Sequence, residues 1–594
     1  MENRTVALSP MTIRYRTVSG NCYAYDVCSG EIFRVNDVIY QILRDYHVLT
    51  DDEIVEKHRG IREESIRDAI SQLDAMQSRN ALRDHVPERT VPTEAASCDK
   101  KPEAIPQFIA NHRRLLTLEL THQCNLACEY CAFGEHYNQT RDLSQRSISF
   151  DTAKQAVTHF LNHKSKEAGI GFYGGEPLLE FDLIKKVVAY ARRLASDNNM
   201  DVRFSMTTNG TLLTDEKIHF LAKHEFSVMV SLDGNKESHD RYRIFKNRAN
   251  PDEKIGSFDV VTRNMARFVE LYPDYPGRGI ILTLTATSDL SGCEDFIAQW
   301  KTSFPTVIAN FVTPLPEDGE GGDQIGAGHC QGGTCGDGFC GRHHRGDDAV
   351  GSKKAAPHKS LEPAPEFVGW TDESSARFGS CRRRFLSKVC SLMDADMTKS
   401  IRDGFSINKS LLDANVRGIH KRQLLGLRRV KSPVTRMSCF PGATRTYCSS
   451  KGVLYPCEKT EFGDLFALGN AEGDVNGDRA YYLSEMLRLH CDCANCIASS
   501  LCGLCPAQTT ESKDHRGRLD GFALKRTCQR LASESSLAGR LREYSEIMEA
   551  NPDVLDWIYE EEHSSEDDWL NHVQLLTATP RRVNLPVEEL EEFV

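Results

Sequence analysis

The stretch LLTLELTHQCNLACEYC, residues 115–131, decides how this chain is read. An apolar run of strand composition ends at Thr121, and cysteines follow at 124, 128 and 131. On a helix these positions, i, i+4 and i+7, would share one face and form a buried stripe of thiols. The segment is short, follows a strand and carries the polar Asn125 and Glu129 between the thiols, which argues against packing. A zinc site normally draws on four ligands, with pairs two to four residues apart. An iron–sulfur cluster of the cubane kind can be held by three thiolates, which leaves one iron open to a small molecule.

The surroundings give the triplet a fold. From 113 to 312 strand and helix patterns alternate, with strands expected at 115–121, 169–174, 201–208, 227–232, 279–287 and 306–312. The segment SFDTAKQAVTHFLNHK is one of the helical patterns between them. The alternation predicts an α/β fold, a parallel sheet covered by helices and curved or closed as a partial (β/α)6 TIM-type barrel. In such folds chemistry sits at the C-terminal strand ends, where the cysteine triplet stands.

The chain has 594 residues, too many for one core. Residues 10–85 read as a small domain: CYAYDVCSGEIFRV suggests a hairpin, three short helical patterns follow, and Thr50 with Glu53 forms a capping box. A hairpin with three helices is winged-helix-like. Residues 86–112, with four prolines, read as a linker. Residues 313–366 are rich in Gly, Pro and charge and read as a disordered insertion. Order is expected to resume in 367–436 as bridging helices that complete the barrel, and 531–594 reads as an acidic, partly helical tail.

The net charge, 73 − 85 = −12, gives no pull on a nucleic acid backbone, and no nucleic acid partner is expected. No apolar run approaches the ~18 residues that cross a bilayer, and the N-terminus lacks a signal-peptide core. A cytoplasmic protein without membrane contact is expected. In a reducing compartment, 21 cysteines in tight groups point to metal or redox chemistry rather than disulfides.

C-x3-C-x2-C after a first strand resembles the radical S-adenosylmethionine (SAM) enzymes. The resemblance implies that Cys124, Cys128 and Cys131 hold a [4Fe–4S] cluster whose open iron binds SAM, with Tyr130 as the usual aromatic before the last cysteine. Gly174, Gly175, Glu176 and Pro177, at the end of the second strand, look like the GGEP element of that family. There the glycines would let the backbone approach a ligand and Glu176 would accept from the methionyl amine. The same stretch reads G-x-G-x-x-G at Gly169, Gly171 and Gly174, but Ile170 and Phe172 lie inside a strand pattern, which rejects a dinucleotide fingerprint. TTNGTLL and SLDG end the third and fourth strands, which puts Asn209, Ser231 and Asp233 at the mouth. The resemblance implies contacts from them to SAM, with Arg243 as a carboxylate partner.

A second cysteine field spans 437–530. It resembles the SPASM domain, a C-terminal extension that binds two auxiliary [4Fe–4S] clusters. Carried over by position, Cys439, Cys448, Cys457 and Cys505 would hold the first, and Cys493, Cys496, Cys502 and Cys528 the second. Cys502 to Cys505 is x2 where the usual pattern has x3, which leaves Cys491 as an alternative to Cys505. Two zinc ribbons are the rival, but no two C-x2-C pairs are spaced as one ribbon. Cys330, Cys335 and Cys340, with His343 and His344, match no standard zinc spacing. Glu458 follows Cys457. A raised pKa there, from burial beside an anionic cluster, would suit a catalytic base toward substrate.

The N-terminal unit resembles the PqqD-like peptide recognition element, which binds a leader peptide as an added strand. Together the three blocks imply a maturase that removes hydrogen from a precursor peptide and forms cysteine thioethers. The alternatives are carbon–carbon cross-linking, epimerisation, formylglycine formation, or a non-catalytic iron–sulfur or peptide-binding scaffold. A small electron donor such as a flavodoxin or ferredoxin is the expected further partner.

Overall fold

The computed structural model describes residues 12–46, 48–78, 81–82, 109, 113–131, 145–162, 167–246, 255–285, 288–311, 382, 385, 416, 419–420, 441–443, 445–460, 466–473, 475–481, 483, 496–498, 501 and 533–550. The expected linker except Ile109, the whole insertion, nearly all of 367–436, and Cys439, Cys491, Cys493, Cys502, Cys505 and Cys528 lie outside them.

At the N-terminus β1 (Thr12–Arg16), β2 (Cys22–Asp26) and β3 (Ile32–Val35) form an antiparallel sheet in that order. The hairpin from 22 to 35 is the one its alternation predicts, while β1 is a third strand that the pattern around Ser29–Gly30 does not announce. The turn closes because the buried Asp26 carboxylate accepts from Cys28 N and Ser29 N, and Gly30 takes the left-handed φ of 79°. α1 (Asp37–Ile42) is capped by Asn36, and α2 (Asp51–Lys57) starts with the Thr50–Glu53 capping box. α3 (Glu63–Ser78) presents Ile66, Ala69, Ile70 and Leu73, spaced as one helix face.

The small sheet has two buried faces. Ala24 faces Ile39, Ile42, Leu43, Ile66 and Leu73 of its own helices. Ile13, Tyr15, Tyr25 and Val27 belong to the core of the main body. The link is α10 (Glu534–Ala550), whose Leu537, Leu541, Tyr544 and Ile547 are buried in that core and which packs on β1. Part of the expected acidic tail is therefore a structural helix.

Among the described residues the main sheet has nine strands. β4 (Leu115–Thr121), β5 (Glu167–Gly174), β6 (Asp201–Thr208), β7 (Ser227–Ser231), β8 (Arg278–Leu284) and β9 (Thr306–Phe311) lie side by side in chain order, all parallel. Between them run α4 (Phe150–Leu161), α5 (Phe181–Asp197), α6 (Asp215–Lys223), α7 (Lys236–Tyr242), α8 (Phe258–Leu271) and α9 (Leu290–Ala298). Ser149, Thr214 and Asn235 cap α4, α6 and α7 through their side chains. Phe172, Phe204 and Phe226 stack with ring centroids 5.3–6.2 Å apart and bind neighbouring strands into one core.

The sheet does not stop at β4. β10 (Arg445–Cys448) pairs parallel to it, and β11 (Val453–Tyr455) and β12 (Gly469–Asn470) continue antiparallel. Residues 445–448, which the sequence pattern places in the C-terminal region and not in the sheet, are a seventh parallel strand of the main sheet. Arg445–Cys448 is only four residues long, too short a pattern to be read as a strand from sequence.

Candidate active site

The cysteine triplet lies where the parallel sheet directs it, on the loop leaving the C-terminal end of β4. Its backbone is held from several sides. Gly175 N donates to Thr121 O at 2.7 Å and Glu176 N to Gln123 O at 2.8 Å, so the end of β5 grips the residues just before Cys124. On the other side Ala127 N donates to Ile244 O, Glu129 N to Tyr242 O and Lys246 N to Asn125 O. Cys131 N donates to Cys128 O and closes the last turn.

The glycine pair makes this contact possible. A Cβ on Gly174, whose φ is +141°, would stand 2.4 Å from Thr121 O, and one on Gly175 would stand 2.0 Å from Gln123 O. The expectation that these glycines admit a ligand is refined: the group that approaches them is the backbone leading into the cysteine loop.

Glu176 is wholly buried and caps the short turn that starts at Pro177. Its Oε1 accepts from Leu178 N at 3.0 Å and from Thr208 Oγ1 at 2.7 Å, and its Oε2 accepts from Asn209 N at 2.7 Å. Burial raises its pKa, and these donors work against the rise. Asn209 then reaches the triplet itself. Its Nδ2 donates to Asn125 Oδ1 at 2.8 Å and lies 3.8 Å from Cys124 Sγ. Leu126 N is the second donor to that sulfur, at 3.4 Å. The ends of β4, β5 and β6 thus converge on Cys124.

Asp233 and Arg243 meet on the far side. Arg243 Nε donates to Asp233 Oδ2 at 2.8 Å and Nη2 to Oδ1 at 3.2 Å, both side chains being nearly sealed from solvent. Tyr130 OH donates to the same carboxylate, Thr283 N donates to it at 2.9 Å, and the Tyr130 ring lies 5.4 Å from the guanidinium carbon. Burial alone would raise the Asp233 pKa, but Arg243 more than offsets it and the carboxyl falls below its usual range. Arg243 is therefore a carboxylate partner, as its chemistry suggested, but the carboxylate it holds belongs to this chain. Ser231 ends β7, buried, two residues before Asp233. Tyr130 and His239, which accepts from Asp233 N at 3.3 Å, complete the group. The aromatic before Cys131 marks the first in the sequence; nothing local marks the second.

Burial pushes the Cys124 thiol up to about 11 and the Cys128 thiol up to about 12. The donors at Cys124 Sγ and the Arg243 charge near Cys128 favour thiolate but do not overcome burial, so thiolate ligation at neutral pH needs a cation among the sulfurs. Among the described residues no three His, Cys, Asp or Glu side chains close on a single-ion site. A donor set of three free thiols spread over one loop fits a larger, multi-metal body.

In the second field Cys448 is fully buried on β10, while Cys457 and Cys496 are partly exposed. Glu458 departs from expectation. Burial would push it up, but Arg445 Nη1, 3.2 Å from Oε2 and 3.3 Å from Oε1, draws its pKa below the ordinary glutamate value. The raised pKa expected for a base is corrected: the carboxylate stands ion-paired.

Residues 118–284 match the model of the Radical SAM superfamily. That segment carries the triplet and the Gly174–Pro177 stretch and is similar to the domain of that superfamily, whose enzymes use SAM and a [4Fe–4S] cluster. The cysteine-type anaerobic sulfatase-maturating enzyme of Clostridium novyi is 29% identical over 152 residues, 25% of this chain and 39% of that protein. The serine-type anaerobic sulfatase-maturating enzyme of Bacteroides thetaiotaomicron is 33% identical over 122 residues, 20% of this chain and 29% of that protein. The matches thus span less than half the length of these relatives. A solved structure, native anSMEcpe with bound AdoMet, superposes with a TM-score of 0.46 at 17% identity, covering 76% of this chain and 100% of that one. Among the described residues no helix is long and apolar enough to cross a membrane.

Proposed function

We propose that this chain is a radical SAM maturase that modifies a ribosomally made precursor peptide and joins a peptide carbon to a cysteine sulfur. The observation that carries the reading is the convergence of three parallel strand ends on Cys124, with Asn209 Nδ2 3.8 Å from its sulfur. Cys124, Cys128 and Cys131 would hold the SAM-binding cluster. When bound, that cluster supplies the electron that splits SAM into methionine and a 5′-deoxyadenosyl radical able to remove a hydrogen atom from the peptide.

The chain's own residues provide place and order. Glu176, fixed by donors from Leu178, Thr208 and Asn209, offers the remaining lone pair of Oε2 to an ammonium group. Asn209 and Ser231 offer polar atoms at neighbouring strand ends. Arg243 and Asp233 hold Tyr130, and with it the last turn of the cysteine loop. Cys439, Cys448, Cys457, Cys493, Cys496, Cys502, Cys505 and Cys528 are the proposed auxiliary-cluster ligands; the one electron left over when the peptide carbon radical bonds the cysteine sulfur and the thiol loses its proton would pass to a cluster held there. Glu458, kept ionised by Arg445, is the candidate acceptor for a substrate proton.

The N-terminal unit is the proposed seat of the leader peptide, and a flavodoxin- or ferredoxin-like protein the proposed electron donor. The relatives' names, sulfatase-maturating enzymes, support a peptide or protein as target. They also favour one alternative, formylglycine formation. The two differ in product: a thioether removes two hydrogens and consumes a free thiol, whereas converting cysteine to formylglycine replaces sulfur by oxygen. The anaerobically reconstituted full chain is to be incubated with SAM and the small peptides encoded beside its gene. 5′-Deoxyadenosine together with a peptide short of two hydrogens is expected. SAM cleavage that never removes hydrogen from any such peptide would sink the reading.

A further inference from the structure

The seam between β4 and β10 holds a buried polar cluster that the candidate active site does not use. Glu119 on β4 is completely buried, and His122 and Ser450 are nearly so. Ser450 N donates to Glu119 Oε2 at 2.9 Å. His122 Nε2 lies 3.2 Å from the same Oε2 and 2.8 Å from Ser450 Oγ. Serine, histidine and carboxylate together invite comparison with a hydrolytic triad. The geometry excludes it, because one imidazole nitrogen serves both partners, whereas a triad needs Nε2 for the serine and Nδ1 for the carboxylate.

What the cluster joins is more telling. His122 stands two residues before Cys124, and its own N–H donates to Arg146 O at 2.9 Å. Ser450 stands two residues after Cys448, in the tight turn between β10 and β11. That turn closes with Gly452 N donating to Ser449 O at 2.8 Å and with Gly452 at φ +79°. Cys448 is in register with Leu118 across the parallel pair. Cys124 follows Leu118 by six residues, whose chain reaches at most ~21 Å. Both cysteines therefore leave the same end of the same sheet on adjacent strands.

We propose that Glu119, His122 and Ser450 are positioning residues that register the Cys448-bearing turn against the Cys124-bearing loop. They would thereby fix the separation and orientation of the two metal centres those segments hold. The proposal rests on the reading of Cys448 as an auxiliary-cluster ligand. A buried carboxylate is otherwise an expensive way to close a sheet seam that apolar side chains could fill, and directional hydrogen bonds across the seam specify one register where apolar packing tolerates several.

The test uses the full chain, reconstituted anaerobically with iron and sulfide. Iron per chain and the electron paramagnetic resonance line shape of the fully reduced protein are recorded, because magnetic coupling between two centres depends on their distance and orientation. Ser450→Ala and His122→Leu are expected to keep their iron and change the coupling, and His122→Gln, which restores an N–H near the Nε2 position, to recover it. In the metal-free protein, amides of 448–453 should exchange about tenfold faster in Ser450→Ala. Native line shapes and native exchange in Ser450→Ala would overturn the proposal, and this variant removes one hydroxyl only, so it decides even if His122→Leu fails to fold. Cys448→Ser separates the premise: iron lost there with unchanged coupling in Ser450→Ala defeats the proposal alone. Iron fully retained in Cys448→Ser defeats the ligand reading and the proposal with it.

Discussion

Cys124 and Cys448 leave the same end of one sheet on adjacent strands, yet they differ in access. Cys124, Cys128 and Cys131 are each partly exposed on a loop, whereas Cys448 is fully buried on a strand. A centre that must admit a small molecule needs an open side, and a centre that only passes electrons does not. The fields also differ in origin. The first grows from contiguous β-α units and is gripped by the ends of β5 and of α7. In the second, β10 follows residues 312–444 in the chain and adds to the side of β4 that the contiguous units leave open.

The harshest way to break the comparison is to remove thiols from each side. Cys124→Ala with Cys128→Ala should abolish SAM cleavage, a loss of more than about 10³-fold, since the remaining sulfur cannot hold the centre that starts the chemistry. Cys448→Ala should lower peptide modification more than SAM cleavage. Measuring 5′-deoxyadenosine and modified peptide side by side checks both. Equal loss of the two products in Cys448→Ala would remove the distinction in roles.

The sequence announces the first field well and the second poorly, for physical reasons. Six parallel strands are legible because each is a five- to eight-residue apolar run separated by an amphipathic helix. The cysteine spacing and the Gly174–Pro177 stretch are local and contiguous. β10 is not legible, because a strand four residues long has no period to read. The partners of Arg243 are equally hidden. Its need for a carboxylate follows from its chemistry, but only the fold brings Asp233 to it from the end of β7. Glu119 left a faint trace, as one charge inside the apolar run LLTLELT of a strand expected to be buried on both faces. For Glu458 the sequence misleads. Burial raises a carboxylate's pKa, but Arg445, thirteen residues earlier, reverses the sign once β10 and the turn after β11 bring the two together.

The next test sharpens the contrast inside the first field. Asp233→Asn leaves Arg243 buried and unpaired, which should destabilise the chain by about 3–5 kcal/mol. Tyr130→Phe removes one hydrogen bond to the same carboxylate and should cost about 1–3 kcal/mol. Denaturant unfolding of the metal-free protein measures both. Equal effects would mean that the ion pair contributes no more than the phenol does.

A pH titration probes the same corner. His239 is wholly buried between Asp233, Ser257 and α8, and burial lowers its pKa to about 4. Asp233 pulls it up and Arg243 pushes it down. The folded state thus holds the imidazole neutral while the unfolded chain protonates it near 6.5. Its contribution to stability is complete above pH 6.5 and is lost as pH falls toward 4, by up to ~3 kcal/mol. His239→Gln should flatten that part of the stability profile. A wild-type profile already flat between those values would contradict the assignment.

The smallest expected effect lies at the far end of the molecule, where the N-terminal sheet meets α10. Glu549 accepts from Thr17 Oγ1 at 3.0 Å, Ser19 Oγ at 2.6 Å, Asn21 Nδ2 at 2.8 Å and Tyr23 OH at 2.8 Å. Burial would raise its pKa, but these four donors hold it below the ordinary glutamate range. One carboxylate therefore fastens the β1–β2 turn to a helix that is itself packed in the main core. Glu549→Ala should lower global stability by only about 1 kcal/mol, because the donors can turn to water. Its larger consequence should be local: faster amide exchange in 12–26 and, if the N-terminal unit seats the leader, weaker capture of the precursor peptide with SAM cleavage left intact. The carboxylate stays ionised above its lowered pKa, so the clamp should hold at neutral pH and loosen as pH falls through the acid range. Exchange in 12–26 that is unchanged in Glu549→Ala would show that packing of β1, with Tyr15, against α10, rather than this carboxylate, holds the N-terminal sheet to that helix.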